Sequence, residues 1–147
     1  MLLPLLTFAA IAIQDAAPSK GEELAGAVGI VDGDTIRLGQ RKIRFHGMNA
    51  PEIGSHCPGV EGDCGRAAAR KLADLIKGAE IRCVSEGYMS YDRVVAVCYA
   101  FHGDQREDLG GLMVAQGWAE AAPHFSDRYV CDEKAARYFK AGMWAQN

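Results

Sequence analysis

Acidic, amide and arginine side chains are concentrated in one stretch of the sequence, residues 29–52. Within it, two short β-type runs at 36–38 and 43–45 flank a turn at Gly39 and Gln40, and this pattern predicts a hairpin. Successive side chains of a strand point to opposite faces, so the polar members of such a hairpin can be assigned to one side of it. The stretch therefore predicts a polar rim on a small sheet.

The rim has several side chains that could do chemistry. Asp32 and Asp34 stand where a strand begins, and Arg44 occupies the face opposite its apolar neighbours. The run from Asn49 to Glu52 then leaves the sheet and carries a carboxylate back toward the same end. We therefore expect carboxylates, an amide and an arginine to converge at one place.

These residue types suit a phosphodiester. Asp34 and Asn49 offer hard oxygen ligands to a divalent cation, and the planar guanidinium of Arg44 can bind two phosphate oxygens. Glu52 can orient or deprotonate a water molecule. Arg93, at the start of a later β-type run, is the best candidate for a second phosphate-binding cation.

The Asp-x-Asp pair has two simpler interpretations, an EF-hand loop and a turn. An EF-hand loop is excluded, because its fifth position would be Ile36 and its sixth, which requires glycine, would be Arg37. Asp-Gly alone usually indicates a turn. The downstream Arg44, Glu52 and Arg93 favour the metal site over the turn.

These residues resemble the staphylococcal nuclease (thermonuclease) family. The resemblance covers about residues 26–145 and several motifs in the expected order carry it: Asp-Gly-Asp-Thr at 32–35, Ile-Arg-Phe-x-Gly-x-x-Ala-Pro-Glu at 43–52, Tyr-x-Arg-x-x-Ala at 91–96, Val-Ala-Gln-Gly-Trp-Ala at 114–119 and Gly-Met-Trp at 142–144.

The resemblance implies an α+β fold, a five-stranded OB-fold β-barrel with three helices, whose rim binds nucleic acids. The residues alone indicate only a small α+β domain. Besides the central hairpin, periodicity and turn residues predict strands at about 27–31, 79–84 and 93–101, a long loop at 53–64, and helices at 66–77, 108–116 and 129–141.

The resemblance also implies roles in a calcium-dependent nuclease. The expected catalytic residues are Arg44, Glu52 and Arg93, and the expected metal ligands are Asp34, Asn49 and the Ala50 carbonyl.

The sequence departs from the family pattern at two places. Asn49 stands where the family has a second aspartate, and Pro123 and Phe125 stand where it has tyrosines that hold the terminal nucleotide. We expect Phe125 alone to stack a base there, and we assign Tyr91 to substrate binding as well, with Thr35 behind the site.

The N-terminal region predicts a leader. Residues 2–13 form an apolar run that is too short to span a bilayer but suits a secretory signal, with no Lys or Arg before it. We expect a signal peptide at 1–17, a linker without fixed structure at 18–26 and one nuclease-like domain at 27–147. The alternative is a buried N-terminal helix or strand.

Five cysteines fit an oxidising compartment, so a periplasmic or secreted protein is expected. If the second hairpin turns between residues 90 and 91, Cys83 faces Cys98. Cys57 and Cys64 share a loop and are left as partners, while Cys131 is odd. A zinc site with His56 is disfavoured, because the sequence has no Cys-x-x-Cys spacing. The other three histidines, at 46, 102 and 124, are expected to be solvated or hydrogen-bonded.

The net charge is −3, whereas proteins that hold nucleic acid tightly usually carry a positively charged face. The leading interpretation is a monomeric periplasmic or secreted nuclease that cleaves DNA or RNA, with no membrane span after signal cleavage. An OB-fold module that binds nucleic acid and turns it over weakly is the alternative, because Asn49 lowers the charge available to a cation. A disulfide-stapled structural domain would leave Arg44, Glu52 and Arg93 unexplained.

Overall fold

The computed structural model describes residues 16–146, so the predicted leader lies almost entirely outside the described residues. The strands of this part are β1 (Glu23–Ala25), β2 (Val28–Ile30), β3 (Thr35–Leu38), β4 (Arg41–Phe45), β5 (Met48–Asn49), β6 (Glu80–Ser90), β7 (Arg93–His102), β8 (Gln105–Asp108) and β9 (Glu120–Ala121). The helices are α1 (Cys64–Ile76), α2 (Leu109–Ala115), α3 (Val130–Tyr138) and a short 3₁₀ helix (Gly142–Trp144).

Strand β7 is the centre of the main sheet, whose order is β1-β6-β7-β4-β3-β2 with β8 also on β7. The first half of β7 pairs in parallel with β4, the second half pairs with β8, and β6 runs antiparallel along its length. The expected mixed α+β content with three α-helices is confirmed. The closed five-stranded barrel is not, because within residues 16–146 the outer strands β1 and β2 do not pair with each other to close the sheet.

Part of the predicted linker is ordered. Strand β1 lies within 18–26 and pairs with β6, with Leu24 opposite Cys83. Just before it, Gly21 donates its N–H to the Ser85 carbonyl at 2.8 Å, and the Ser85 hydroxyl donates to the Pro18 carbonyl at 3.1 Å. The edge of β6 supplies the partners, so this polar segment gains a strand that its own composition does not indicate.

The predicted cap of α2 is present, whereas α1 begins two residues earlier than predicted, after the cap Asp63. Asp108 accepts the Gly111 N–H at 3.1 Å and begins α2, as expected, and it also accepts the Tyr129 hydroxyl at 2.7 Å. Helix α3 ends three residues earlier than predicted, because Lys140 takes a left-handed φ of +53°.

Among residues 16–146 no helix is both long and apolar enough to cross a bilayer.

One apolar core joins the sheet to α1 and α2. Ile36 and Ile43 from the central hairpin, Leu72 from α1 and Met113 from α2 are fully buried in it. Arg44 lies between two buried residues of β4 and is only partly exposed, on the opposite face, as the alternation predicts. The core therefore fixes which side of β4 presents the arginine.

Both predicted disulfides are present, Cys57–Cys64 and Cys83–Cys98, and Cys131 is free and exposed. Cys83 and Cys98 are directly opposite in the β6–β7 pair. The turn itself is displaced, however, because an irregularity between Ser85 and Met89 shifts the register before the turn. Cys83 and Cys98 are therefore paired as predicted, because the irregularity lies between them and the turn.

We predict that the double substitution Cys83→Ala/Cys98→Ala lowers the free energy of unfolding by about 3 kcal/mol, because the bond closes a separation of 15 residues inside the core. Urea unfolding measures the change. Cys131→Ala, which removes an exposed free thiol, is the control and should stay within about 0.5 kcal/mol. A loss below about 1 kcal/mol in the double variant would contradict the prediction.

Candidate functional site

One cleft of about 250 Å³ collects the side chains singled out in the sequence. It is lined by Asp32, Asp34, Arg44, Asn49, Ala50, Glu52 and Arg93. Strands β3, β4 and β7 are neighbours in the sheet, and this adjacency brings Asp34, Arg44 and Arg93 together although they are far apart in sequence. All the expected catalytic residues and metal ligands line this cleft, while their roles stay predictions.

Arg44 is the most tightly held of them. Its Nη1 donates to the carbonyl oxygens of Phe45 at 3.1 Å and Met48 at 3.0 Å, and its Nη2 donates to Asn49 Oδ1. The same Nη1 lies 3.3 Å from Asp34 Oδ2. Burial lowers the pKa of Arg44, and the Asp34 carboxylate opposes that shift. These contacts hold the guanidinium in one orientation at the floor of the cleft.

Asp34 is buried and accepts hydrogen bonds on both oxygens. Its Oδ2 accepts the Ala50 N–H at 2.8 Å and its Oδ1 accepts the Thr35 hydroxyl at 3.1 Å. Burial raises the pKa of Asp34 to about 6, although Arg44 lowers it, and the nearby Asp32 adds to the rise. Asp32 itself accepts the Asp34 N–H at 3.0 Å, which fixes the turn into β3.

Arg93 is held more loosely, at the start of β7. Its guanidinium donates to Ser90 O at 3.4 Å, to Ser90 Oγ at 3.3 Å and to Thr35 Oγ1 at 3.5 Å. Among the ion pairs found within residues 16–146, none involves Arg93. Its charge is therefore available to an anion that enters the cleft.

Glu52 is exposed and follows β5 by three residues. Its carbonyl oxygen accepts the Ser55 N–H at 3.0 Å. Helix α1 packs directly against this backbone, because a Cβ added to Gly65 would lie 2.0 Å from the Glu52 carbonyl oxygen. The carboxylate therefore projects from a segment that is fixed through its main chain.

The donors in the cleft fit a hard divalent cation in chemical type. They are oxygens throughout, from the carboxylates of Asp32, Asp34 and Glu52, the amide of Asn49 and the carbonyl of Ala50. Over the part of the chain described, however, no three His, Cys, Asp or Glu side chains are grouped as a metal site. A cation would share the Asp34 and Asn49 oxygens with Arg44.

The two expected substrate-binding residues lie elsewhere. Phe125 is 68% exposed and lines a second, more apolar cleft of about 90 Å³ that adjoins the first through Arg44 and Asn49. Tyr91 is 93% exposed at the β6–β7 turn, and its ring centroid lies 5.9 Å from the Arg93 Cζ. Phe125 is thus beside the candidate site, and Tyr91 is at its margin.

Sequence reasoning missed some residues around these clefts. One of them is Ser90, which positions Arg93. Another is Tyr88, whose hydroxyl lies 3.2 Å from His46 Nδ1 in the second cleft. His46 is therefore hydrogen-bonded, as expected. Gly33 and Gly65 permit close packing behind Ala50 and Glu52. That both residues are glycines was a signal in the sequence for close packing. It did not indicate which distant segments pack against them.

We predict that Gly33→Ala destabilises the protein by about 1–3 kcal/mol, because the added Cβ would lie 2.7 Å from the Ala50 Cβ and 2.8 Å from the Ala68 Cβ. Urea unfolding measures the change. Gly29→Ala is the matched control, since its Cβ meets only an ordinary contact at 3.8 Å. Equal stability of the two variants would show that the segment carrying Ala50 is free to move.

The sequence was compared with protein families and with curated proteins. The sequence profile described as "Staphylococcal nuclease homologue" matches residues 42–146, well over half of the chain. That range contains Arg44, Asn49, Glu52 and Arg93, and it begins after Asp34.

Curated relatives are similar over most of this chain. The Succinoglycan biosynthesis protein ExoI of Rhizobium meliloti is 27% identical over 130 residues, which is 84% of this chain and 65% of that protein. An "Uncharacterized endonuclease" of Haemophilus influenzae is 28% identical over 88% of this chain and 70% of its own length. A "Probable endonuclease lcl3" of Pyrenophora tritici-repentis is 32% identical over 71% of this chain but only 41% of its own length. The match of the family profile over more than half the sequence shows that the chain belongs to the staphylococcal nuclease family.

Proposed function

We propose that this chain is a nuclease that hydrolyses phosphodiester bonds of DNA or RNA with the help of a divalent cation, calcium being the first candidate. Family membership supports nuclease function at the level of the family. The observation that carries the specific proposal is the single cleft in which Arg44, Glu52 and Arg93 meet the oxygen donors. Relatives named endonucleases favour hydrolysis over binding alone.

The two arginines bind the scissile phosphate. Arg44 is preoriented by its carbonyl and carboxylate contacts, so it can stabilise charge on the phosphoryl oxygens with little reorganisation. Arg93 has no ion-pair partner among the described residues and supplies a second planar fork. Together they offset the negative charge that develops as water attacks phosphorus.

Glu52 positions the attacking water and accepts its proton. Its side chain is exposed at the edge of the cleft, where a water molecule can reach both the carboxylate and a bound phosphate. The new bond forms between the water oxygen and phosphorus, and the bond to the leaving sugar oxygen breaks. The leaving oxygen then takes up a proton from solvent.

Asp34, Asn49 and the Ala50 carbonyl would hold the cation, which supplies Lewis-acid stabilisation of the phosphoryl charge when bound. Asp34 is the only carboxylate in this ligand set, and a site with fewer charged ligands binds calcium more weakly. We therefore propose weak calcium binding.

The alternative is a catalytically weak module that binds nucleic acid. Asn49 favours it, because its amide oxygen is neutral and accepts from Arg44. The net charge of −3 is common to both hypotheses and implies modest, salt-sensitive affinity. Phe125, beside the site, would stack a base in either case.

We further propose a monomer in the periplasm or outside the cell, with a leader at 1–17 and the nuclease-like domain at 27–147. The two disulfides support an oxidising compartment. Strand β1 adds residues 23–25 to the folded part of the chain.

We predict that Glu52→Gln lowers the turnover rate by at least about 100-fold, because the amide keeps the shape of the side chain and removes the base. Initial rates on single-stranded DNA and RNA with millimolar calcium measure it. Binding of the same substrates, followed by gel shift, should change little.

Glu61→Gln is the matched control for that variant. Glu61 is an exposed carboxylate in the same loop and does not line the cleft, so its removal should leave the rate within about twofold. An active Glu52→Gln protein would remove Glu52 from the mechanism. A parent protein that binds but never cleaves would favour the binding module.

A further inference from the structure

The loop that follows Glu52 is folded back onto the start of α1. Ser55 donates its N–H to the Glu52 carbonyl at 3.0 Å, and Cys64 donates its N–H to the Ser55 carbonyl at 3.1 Å. Asp63, which caps α1, also accepts the Gly54 N–H at 2.9 Å. The backbone on either side of Ser55 is thus tied to the first turn of the helix.

The Cys57–Cys64 disulfide closes this loop covalently. Cys64 is the first residue of α1 and is fully buried, so it gives the bond a rigid anchor. The next residue, Gly65, is the one that lets the helix touch the Glu52 main chain. The covalent link and the close contact therefore act on the same short segment.

The far side of the loop is anchored as well. Cys57 Sγ lies 3.8 Å from Met143 Sδ, and a Cβ added to Gly59 would lie 2.3 Å from the Met143 carbonyl oxygen. The loop is therefore packed between α1 and the C-terminal 3₁₀ helix.

The Glu52 carboxylate, in contrast, has no such support of its own. Over residues 16–146 its side chain takes part in none of the hydrogen bonds or ion pairs of the structure, and the residue is exposed. The position of its carboxylate is consequently set by the main chain of a loop rather than by neighbouring side chains.

We propose that the Cys57–Cys64 disulfide, together with Gly65, is a positioning device that holds Glu52 at the cleft for the reaction. The inference rests on the role proposed above for Glu52. Loops without regular structure open easily, and a displacement of about 1 Å at a catalytic group can reduce the rate about 100-fold. Closing this loop keeps Glu52 in the productive position without adding a contact to its carboxylate.

The test compares Cys57→Ala/Cys64→Ala with Cys83→Ala/Cys98→Ala, assayed at a temperature where circular dichroism shows both to be folded. We expect the first variant to lose about 10- to 100-fold in kcat with KM within about twofold, because phosphate binding by the arginines is unchanged. The second variant lacks a disulfide within the core and should keep its kcat. Equal kcat losses in the two variants, or none in the first, would overturn the proposal.

A second variant leaves both disulfides intact. Gly65→Ala places a methyl group against the Glu52 carbonyl and should give the same fall in kcat with little change in KM. Full activity of this variant would show that the contact between α1 and Glu52 does not matter for the reaction.

Amide hydrogen exchange separates this inference from the proposed function. In Cys57→Ala/Cys64→Ala the Ser55 N–H, which binds the Glu52 carbonyl, should exchange at least about tenfold faster than in the parent protein. An inactive parent protein would refute the nuclease proposal, and exchange would still test the positioning. An unchanged Ser55 exchange rate would refute the positioning itself.

Discussion

The structure of the candidate site depends on the placement of one guanidinium group. Arg44 lies between the Asp34 carboxylate, the Asn49 amide and the main-chain carbonyls of Phe45 and Met48. A partly buried guanidinium needs such partners, because the cost of removing its charge from water is offset only by good geometry and by further hydrogen bonds. The segment that follows Arg44 supplies three of these partners, and the strand order that places β4 between β3 and β7 brings Asp34 and Arg93 to the same cleft.

A cation bound at Asp34 and Asn49 would be a neighbour of Arg44 and would share oxygen atoms with it. Asp34 Oδ2 contacts Arg44 and the Ala50 N–H, and Asn49 Oδ1 also accepts from Arg44. An aspartate at position 49 would add a second negative charge beside both the arginine and the cation. The neutral amide accepts a hydrogen bond from Arg44 but adds no negative charge that would attract a cation. This is the reason for proposing a low calcium affinity.

Much of this could be predicted from the sequence where local rules decide the outcome. Alternation predicts Arg44 opposite the core, Asp108 is the predicted cap of α2, and Cys83 pairs with Cys98 as predicted although the turn lies one residue further along the chain than expected. The strands β1 and β8 were missed because β1 is only three residues long, β8 is polar, and both gain their order by pairing with β6 and β7. The closed barrel, implied by family resemblance, was not confirmed, because β1 and β2 do not pair with each other in the described part of the chain.

The candidate site shows the same division. The residue types and their order were sufficient to select Asp34, Arg44, Glu52 and Arg93, which the structure brings to one cleft. The supports behind them were not predictable, because Ser90 acts through a displaced turn and Gly65 through contact with a distant segment. Such supports are fixed by tertiary packing, and a glycine in the sequence does not indicate which distant segment it contacts.

The most direct test of the account is a calcium titration of nucleic-acid hydrolysis by the natural protein and by Asn49→Asp, with excess chelator as the zero point. We expect hydrolysis by the natural protein with half-saturation on the order of 10⁻³ M calcium. For Asn49→Asp we expect a lower calcium requirement and undiminished turnover, because Arg44, Glu52 and Arg93 are already in place. No hydrolysis by either protein at any calcium concentration would contradict the proposed nuclease function.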